Sequence, residues 1–166
     1  MSLFLSTKSS DSCLCSNYQP VELLREHISK RIRESKKIKK NLALISKYNV
    51  GHELYQCNFC QQYWQHSIAW NWNGKSYFFK VPEIAILEWK AEAYVSPADL
   101  LIHSAMMSDY FKDNMFVESS KNCRKESCNQ NALSNDVLCR SHFIESLQNF
   151  GMLPPEPKGR IFKPYS

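Results

Sequence analysis

Apolar residues recur every three or four positions early in the chain: Leu24, Ile28, Ile32, Ile38, Leu42 and Ile45, with Ser35 in the same row. That spacing puts them on one stripe of a helix. Pro20 suits a first turn, where its missing N–H costs nothing, and Asn49 and Gly51 suit a C-terminal stop. The pattern predicts one long amphipathic helix of roughly 28 residues ending near Tyr48.

Beyond Gly51 the period drops to two. Ile68, Trp70 and Trp72 alternate in one run, and Tyr77, Phe79 and Val81 in the next. Asn73-Gly74 lies between them, and both residue types accept the positive φ of a type I′ turn. This predicts strands over 62–72 and 75–81, closed by cross-strand aromatic pairs. Trp64, Trp70 and Trp72 suit either a core or a stacking platform for bases; the core reading is preferred, because an aromatic face needs cover and the helices offer it.

After Pro82 the run EIAILEWKAEAYV reads as helix from its Glu, Ala and Leu content. Ser96-Pro97-Ala98-Asp99 is a helix start, with Ser at the cap, Pro at the first position and Asp at the third. This helix should reach about Phe111, with Leu100, Met107, Tyr110 and Phe111 inward and His103 a structural histidine on that side. Residues 112–122 read as a polar loop. A last helix follows His142, with Phe143, Ile144, Leu147 and Phe150 at helical spacing. Residues 1–17 are polar and Ser-rich and read as a flexible lead-in; 152–166 hold four prolines and should be extended. With 166 residues in all, the expectation is a single α+β domain over 18–151. In it a long basic N-terminal helix and shorter helices pack on an aromatic β-hairpin.

Charge sharpens the first helix. Between Arg25 and Lys47 there are nine Lys or Arg and two Glu, although the whole chain carries only +5. Arg25, Lys30, Arg33, Lys36, Lys37, Lys40 and Lys47 fall opposite the apolar stripe, while Arg31 and Lys39 depart from it. A cationic face of this kind keeps a helix solvated, or meets nucleic acid or an acidic protein surface. Membrane attachment is disfavoured, because the stripe holds no aromatic anchor and no window reaches spanning length.

The seven cysteines carry the candidate chemistry. Cys123, Cys128, Cys139 and His142 stand at C-x4-C-x10-C-x2-H. Thiolate and imidazole are the ligands Zn²⁺ prefers, and four protein ligands make a closed, structural site. The first pair brackets a polar loop, and the second, three residues apart, shares one side of a helical turn. A loop pair followed by a helix-start pair resembles treble-clef and related zinc-finger modules, here over 121–150; the resemblance implies a metal, not an activity. A second zinc at Cys57 and Cys60 needs partners. His52 and His66 flank them in H-x4-C-x2-C-x5-H, the C-x-C pair Cys13 and Cys15 could reach them across the fold, or they could join Cys139 and His142. The self-contained C-terminal site is preferred, since closing a short loop costs less entropy. An odd cysteine count with metal-type spacings suits a reducing compartment, the cytoplasm, and no secretory signal is visible.

No G-x-S-x-G, Walker A, G-x-G-x-x-G or H-E-x-x-H sequence is present, nor the paired elements of a zinc deaminase. The sequence therefore reads as a non-enzymatic zinc protein with a cationic helix, associating with nucleic acid and having no small-molecule substrate. The alternative is a protein–protein module, an inhibitor, adaptor or immunity-type protein, that binds an acidic partner.

Overall fold

The computed structural model describes residues 13–48 and 51–166. The lead-in expected over 1–17 lies outside them up to residue 12. The described chain is mixed α+β and groups into two compact units, residues 13–97 with 159–166, and residues 98–158.

The first unit is built on a four-stranded antiparallel meander, β1 (Leu42–Lys47), β2 (Glu53–Cys57), β3 (Tyr63–Ala69) and β4 (Lys75–Lys80), paired in chain order. The expected hairpin forms, with Asn73 at φ 57° and Gly74 at φ 66°. Its strands are shorter than the alternation suggests, because Trp70–Trp72 leave the ladder as a 3₁₀ turn at the tip.

The long helix is the main departure. α1 spans only Arg25–Lys39, and Leu42–Lys47 is strand β1. Leu42 and Ile45 continue the helical row by coincidence of spacing. The tertiary context overrides it, because β2 offers this segment a ladder from Leu42–Cys57 to Lys47–Glu53.

Both sheet faces are covered. On one face Tyr55, Cys57, Trp64 and Phe78 pack with Ile38 of α1 and with Cys15 and Tyr18 of an N-terminal strap. Arg31 of α1 is buried there, donating to the carbonyls of Gln19 (2.8 Å) and Phe78 (3.4 Å), with its guanidinium over the Tyr18 ring. This explains why Arg31 departs from the cationic face. On the other face Gln65 and Ser67 are fully buried. The Gln65 amide accepts from Trp89 Nε1 (2.8 Å) and the Tyr94 N–H (3.0 Å) and donates to the Tyr94 carbonyl (2.7 Å). Trp89 sits on α2 (Ile86–Ala91), a helix of only 6 residues within the run expected as a longer helix. The Pro-rich end returns to this face. Arg160 pairs its backbone with Ala93 and Val95, and Phe162 packs on Tyr94 and Phe79.

The second unit holds nearly all of α3 (Pro97–Asp113), then β5 (Glu118–Asn122), β6 (Asn131–Leu133) and α4 (Arg140–Asn149). The Ser96-Pro97 start behaves as expected. The loop expected over 112–122 instead ends in β5, antiparallel to β6. Tyr110, Phe111, Phe116 and Phe143 form an aromatic cluster, with the Arg140 guanidinium over two of its rings. No helix of the described residues is long and apolar enough to cross a membrane.

Candidate metal centres

Two groups of four side chains each bring their ligand atoms within 4.8 Å of one another, and each could hold a metal ion: Cys123, Cys128, Cys139 and His142, and Cys13, Cys15, Cys57 and Cys60. None of these cysteines is in a disulfide.

The C-terminal group is assembled by short local elements. Cys123 follows β5 directly, and Cys128 lies in the turn before β6. Cys139 is the N-cap of α4, and His142 stands in its first turn, so the helix start aims both at one point. His142 Nδ1 lies 3.2 Å from Cys139 Sγ and 3.4 Å from Cys123 Sγ, and the Cys128 and Cys139 sulfurs are 3.9 Å apart. The Cys139 N–H donates to Cys123 Sγ at 3.2 Å. Burial works against the Cys123 thiolate, but the N–H groups of Cys139 and Lys125 outweigh it and lower the thiol below its ordinary value. Cys128 stays raised: the Gln130 N–H favours its thiolate, but burial and the neighbouring sulfurs do not.

The N-terminal group joins two distant segments. Cys57 and Cys60 sit on the tight turn from β2 to β3, closed by the Gln61 N–H to the Cys57 carbonyl (3.2 Å) and the Cys57 N–H to the Gln62 carbonyl (2.9 Å). Gln61 takes positive φ there. This turn aims the N–H groups of Cys60 and Phe59 at the Cys57 sulfur; they overcome burial and lower that thiol. Cys13 and Cys15 arrive on the strap, which turns through a 3₁₀ segment, Cys15–Asn17. Burial pushes the Cys15 thiol up, opposed by the Trp64 indole N–H beside it. Cys60 is also raised, first by burial. In each group, then, one thiol is lowered by backbone donors, Cys123 and Cys57, while at least one neighbouring thiol is raised: Cys128 in the first, Cys15 and Cys60 in the second. A bound cation would favour ionisation of such adjacent thiols by offsetting their mutual repulsion.

His52 and His66, the flanking histidines of the H-x4-C-x2-C-x5-H spacing, are not among these groups. β2 runs extended between His52 and Cys57, and five residues of strand span roughly 16 Å. His52 Nδ1 instead meets Ser67 Oγ at 2.9 Å, and His66 Nδ1 faces Glu53 at 3.6 Å. Burial lowers the pKa of both imidazoles. The ligands that supply the second group, Cys13 and Cys15, carry only a C-x-C spacing as signal; nothing local says that they meet a turn some forty residues later.

On α1 and at its C-cap Lys40, the cations Arg25, Lys30, Arg33, Lys36, Lys37 and Lys40 are all exposed, and among the described residues Lys30, Arg33, Lys36, Lys37 and Lys40 take part in no ion pair. Lys47, now on β1, is exposed but bound to Glu53 at 3.0 Å. Comparison with known protein families, curated proteins and solved structures gives no match for this chain.

Proposed function

We propose that this is a non-enzymatic protein with two structural zinc ions, whose cationic α1 face associates with nucleic acid. The observation that carries the metal reading is the pair of four-ligand groups, each within 4.8 Å. A zinc bound to sulfur at ~2.3 Å has tetrahedral edges of about 3.8 Å. The 3.2–3.9 Å separations in the C-terminal group suit that geometry, as do its thiolate and imidazole donors. Four protein ligands leave no open position for water, so both ions would serve folding and not hydrolysis. The β5–β6 turn and the start of α4 would form a treble-clef-like module, and free thiols of this kind suit the reducing cytoplasm.

The unpaired cations of α1 support the polyanion reading, because a row of free positive charge gains by releasing a phosphate backbone's counterions. Elemental analysis of the purified protein should give two zinc ions per chain, falling to one in Cys139→Ser. Arg33→Glu, Lys37→Glu and Lys40→Glu together should weaken binding to mixed DNA and RNA at about 50 mM salt and flatten its salt dependence. Failure of the wild type to bind either at that salt would sink the nucleic-acid reading and leave the cations to steer toward an acidic protein.

A further inference from the structure

The β3–β4 tip disposes its tryptophans unequally. Trp64 is fully buried in the core. Trp72 is half-buried against α1: its Nε1 donates to Ser29 Oγ at 2.9 Å, and the Arg25 guanidinium stands 4.7 Å from its ring centre. Arg25 and Ser29 are four residues apart, so both contacts fall on one stripe of the helix. They pin the tip to the start of α1. Trp70, two residues earlier in the same 3₁₀ turn, is left 66% exposed.

The stripe that Trp72 touches continues along α1 as Arg33, Lys36 or Lys37, and Lys40, at spacings of three and four. From Arg25 to Lys40 this row runs roughly 22 Å at 1.5 Å per residue. An open indole therefore stands at one end of a row of free cations. The tip around it is polar and exposed: Asn71, Asn73, Gly74, Lys75 and Ser76. A bilayer would find only the half-exposed Leu24 beside the start of α1 as a further apolar anchor, whereas a nucleobase finds a flat ring to stack on and amides to meet its edges.

We propose that Trp70 is the stacking site for an unpaired base of a single-stranded nucleic acid whose phosphates follow the cationic row of α1. A duplex hides its base faces in its own stack, so only a single strand can use the ring. The site rests on the nucleic-acid reading of α1 and adds the strand preference to it.

The full-length protein is titrated with oligo(dT) and with a mixed-sequence duplex of equal length, following tryptophan emission and anisotropy. Trp64 and Trp89 are fully buried and Trp72 is half-buried against α1, so quenching by bases reports on Trp70 and Trp72, and the part lost in Trp70→Ala is that of Trp70. Oligo(dT) should bind more tightly than duplex and quench emission. Trp70→Ala should weaken the single strand about tenfold and leave the duplex unchanged, and Trp70→Phe should recover most of the loss. The residue is exposed on a turn, so both variants should keep the wild-type melting temperature. Equal binding of both nucleic acids, with no effect of Trp70→Ala, would overturn the stacking site and leave the nucleic-acid reading standing. Absence of binding to either would remove both. A loss in Trp70→Ala confined to anionic phosphatidylserine vesicles would overturn the site in favour of a membrane surface.

Discussion

Replacing Cys13 and Cys15 with serine removes two of the four sulfurs at the N-terminal centre and leaves Cys57 and Cys60 on their turn. Serine keeps the volume and loses the thiolate, so a bound ion is reduced to two protein ligands. The cost follows from topology. An ion held by Cys15 and Cys57 closes a loop on the order of 40 residues, and a cross-link of that length removes about 4 kcal/mol of chain entropy from the unfolded state. An ion linking Cys128 to Cys139 would close only about 12 residues, worth about 3 kcal/mol on the same scale. The strap also buries Tyr18 against Trp64, edge to face at 5.8 Å, so loosening it exposes the core face of the sheet. For a unit of this size, about 4 kcal/mol corresponds to a fall in Tm of roughly 15–30 °C. Circular dichroism melts paired with elemental analysis measure both quantities. The double variant should hold one zinc per chain and melt early. Two zinc ions retained, with an unchanged melt, would refute the four-cysteine centre and return Cys57 and Cys60 to other partners.

Gln65→Leu keeps the volume but strips the partners from Trp89 Nε1 and from the Tyr94 N–H and carbonyl, all buried; it should cost about 3 kcal/mol or more in urea unfolding. An unchanged midpoint would mean that these groups find other partners. Gly159 sits at φ 135°, and a Cβ there would meet the Ala93 carbonyl oxygen at 2.7 Å. Gly159→Ala should therefore break the backbone pairing of Arg160 and lower stability by roughly 1–3 kcal/mol, seen as faster proteolysis of the C-terminal segment. Burial lowers the His52 pKa below its unfolded value of about 6.5, so the unfolded chain binds more protons. The stability this gives is full above pH ~6.5 and is lost as pH falls toward the folded pKa. Melts at pH 7.5 and 5.5 should differ less in His52→Asn than in the wild type; an equal difference would rule out His52 as a source of that slope.

Several features of this protein were legible locally. The C-terminal candidate ligand set spans about twenty residues, and its members are positioned by a short hairpin and one helical turn, so their spacing nearly is their geometry. Asn73-Gly74 and Ser96-Pro97 carry their own backbone preferences, and the structure places a turn and a helix start on them. The exposed face of α1 likewise follows from winding the sequence at the helical period. Other features belong only to the tertiary structure. Leu42–Lys47 satisfies both the helical and the strand pattern, and becomes strand because β2 supplies its hydrogen-bond partners. Arg31 turns inward because carbonyls from two other segments await it. His52 and Cys57 look like neighbouring ligands in a row of letters, yet the extended strand between them carries them apart. Cys15 and Cys57 look unrelated and meet. Local spacing decides geometry only while the chain between two residues has one conformation to take; beyond that length, burial and backbone pairing decide which residues come together.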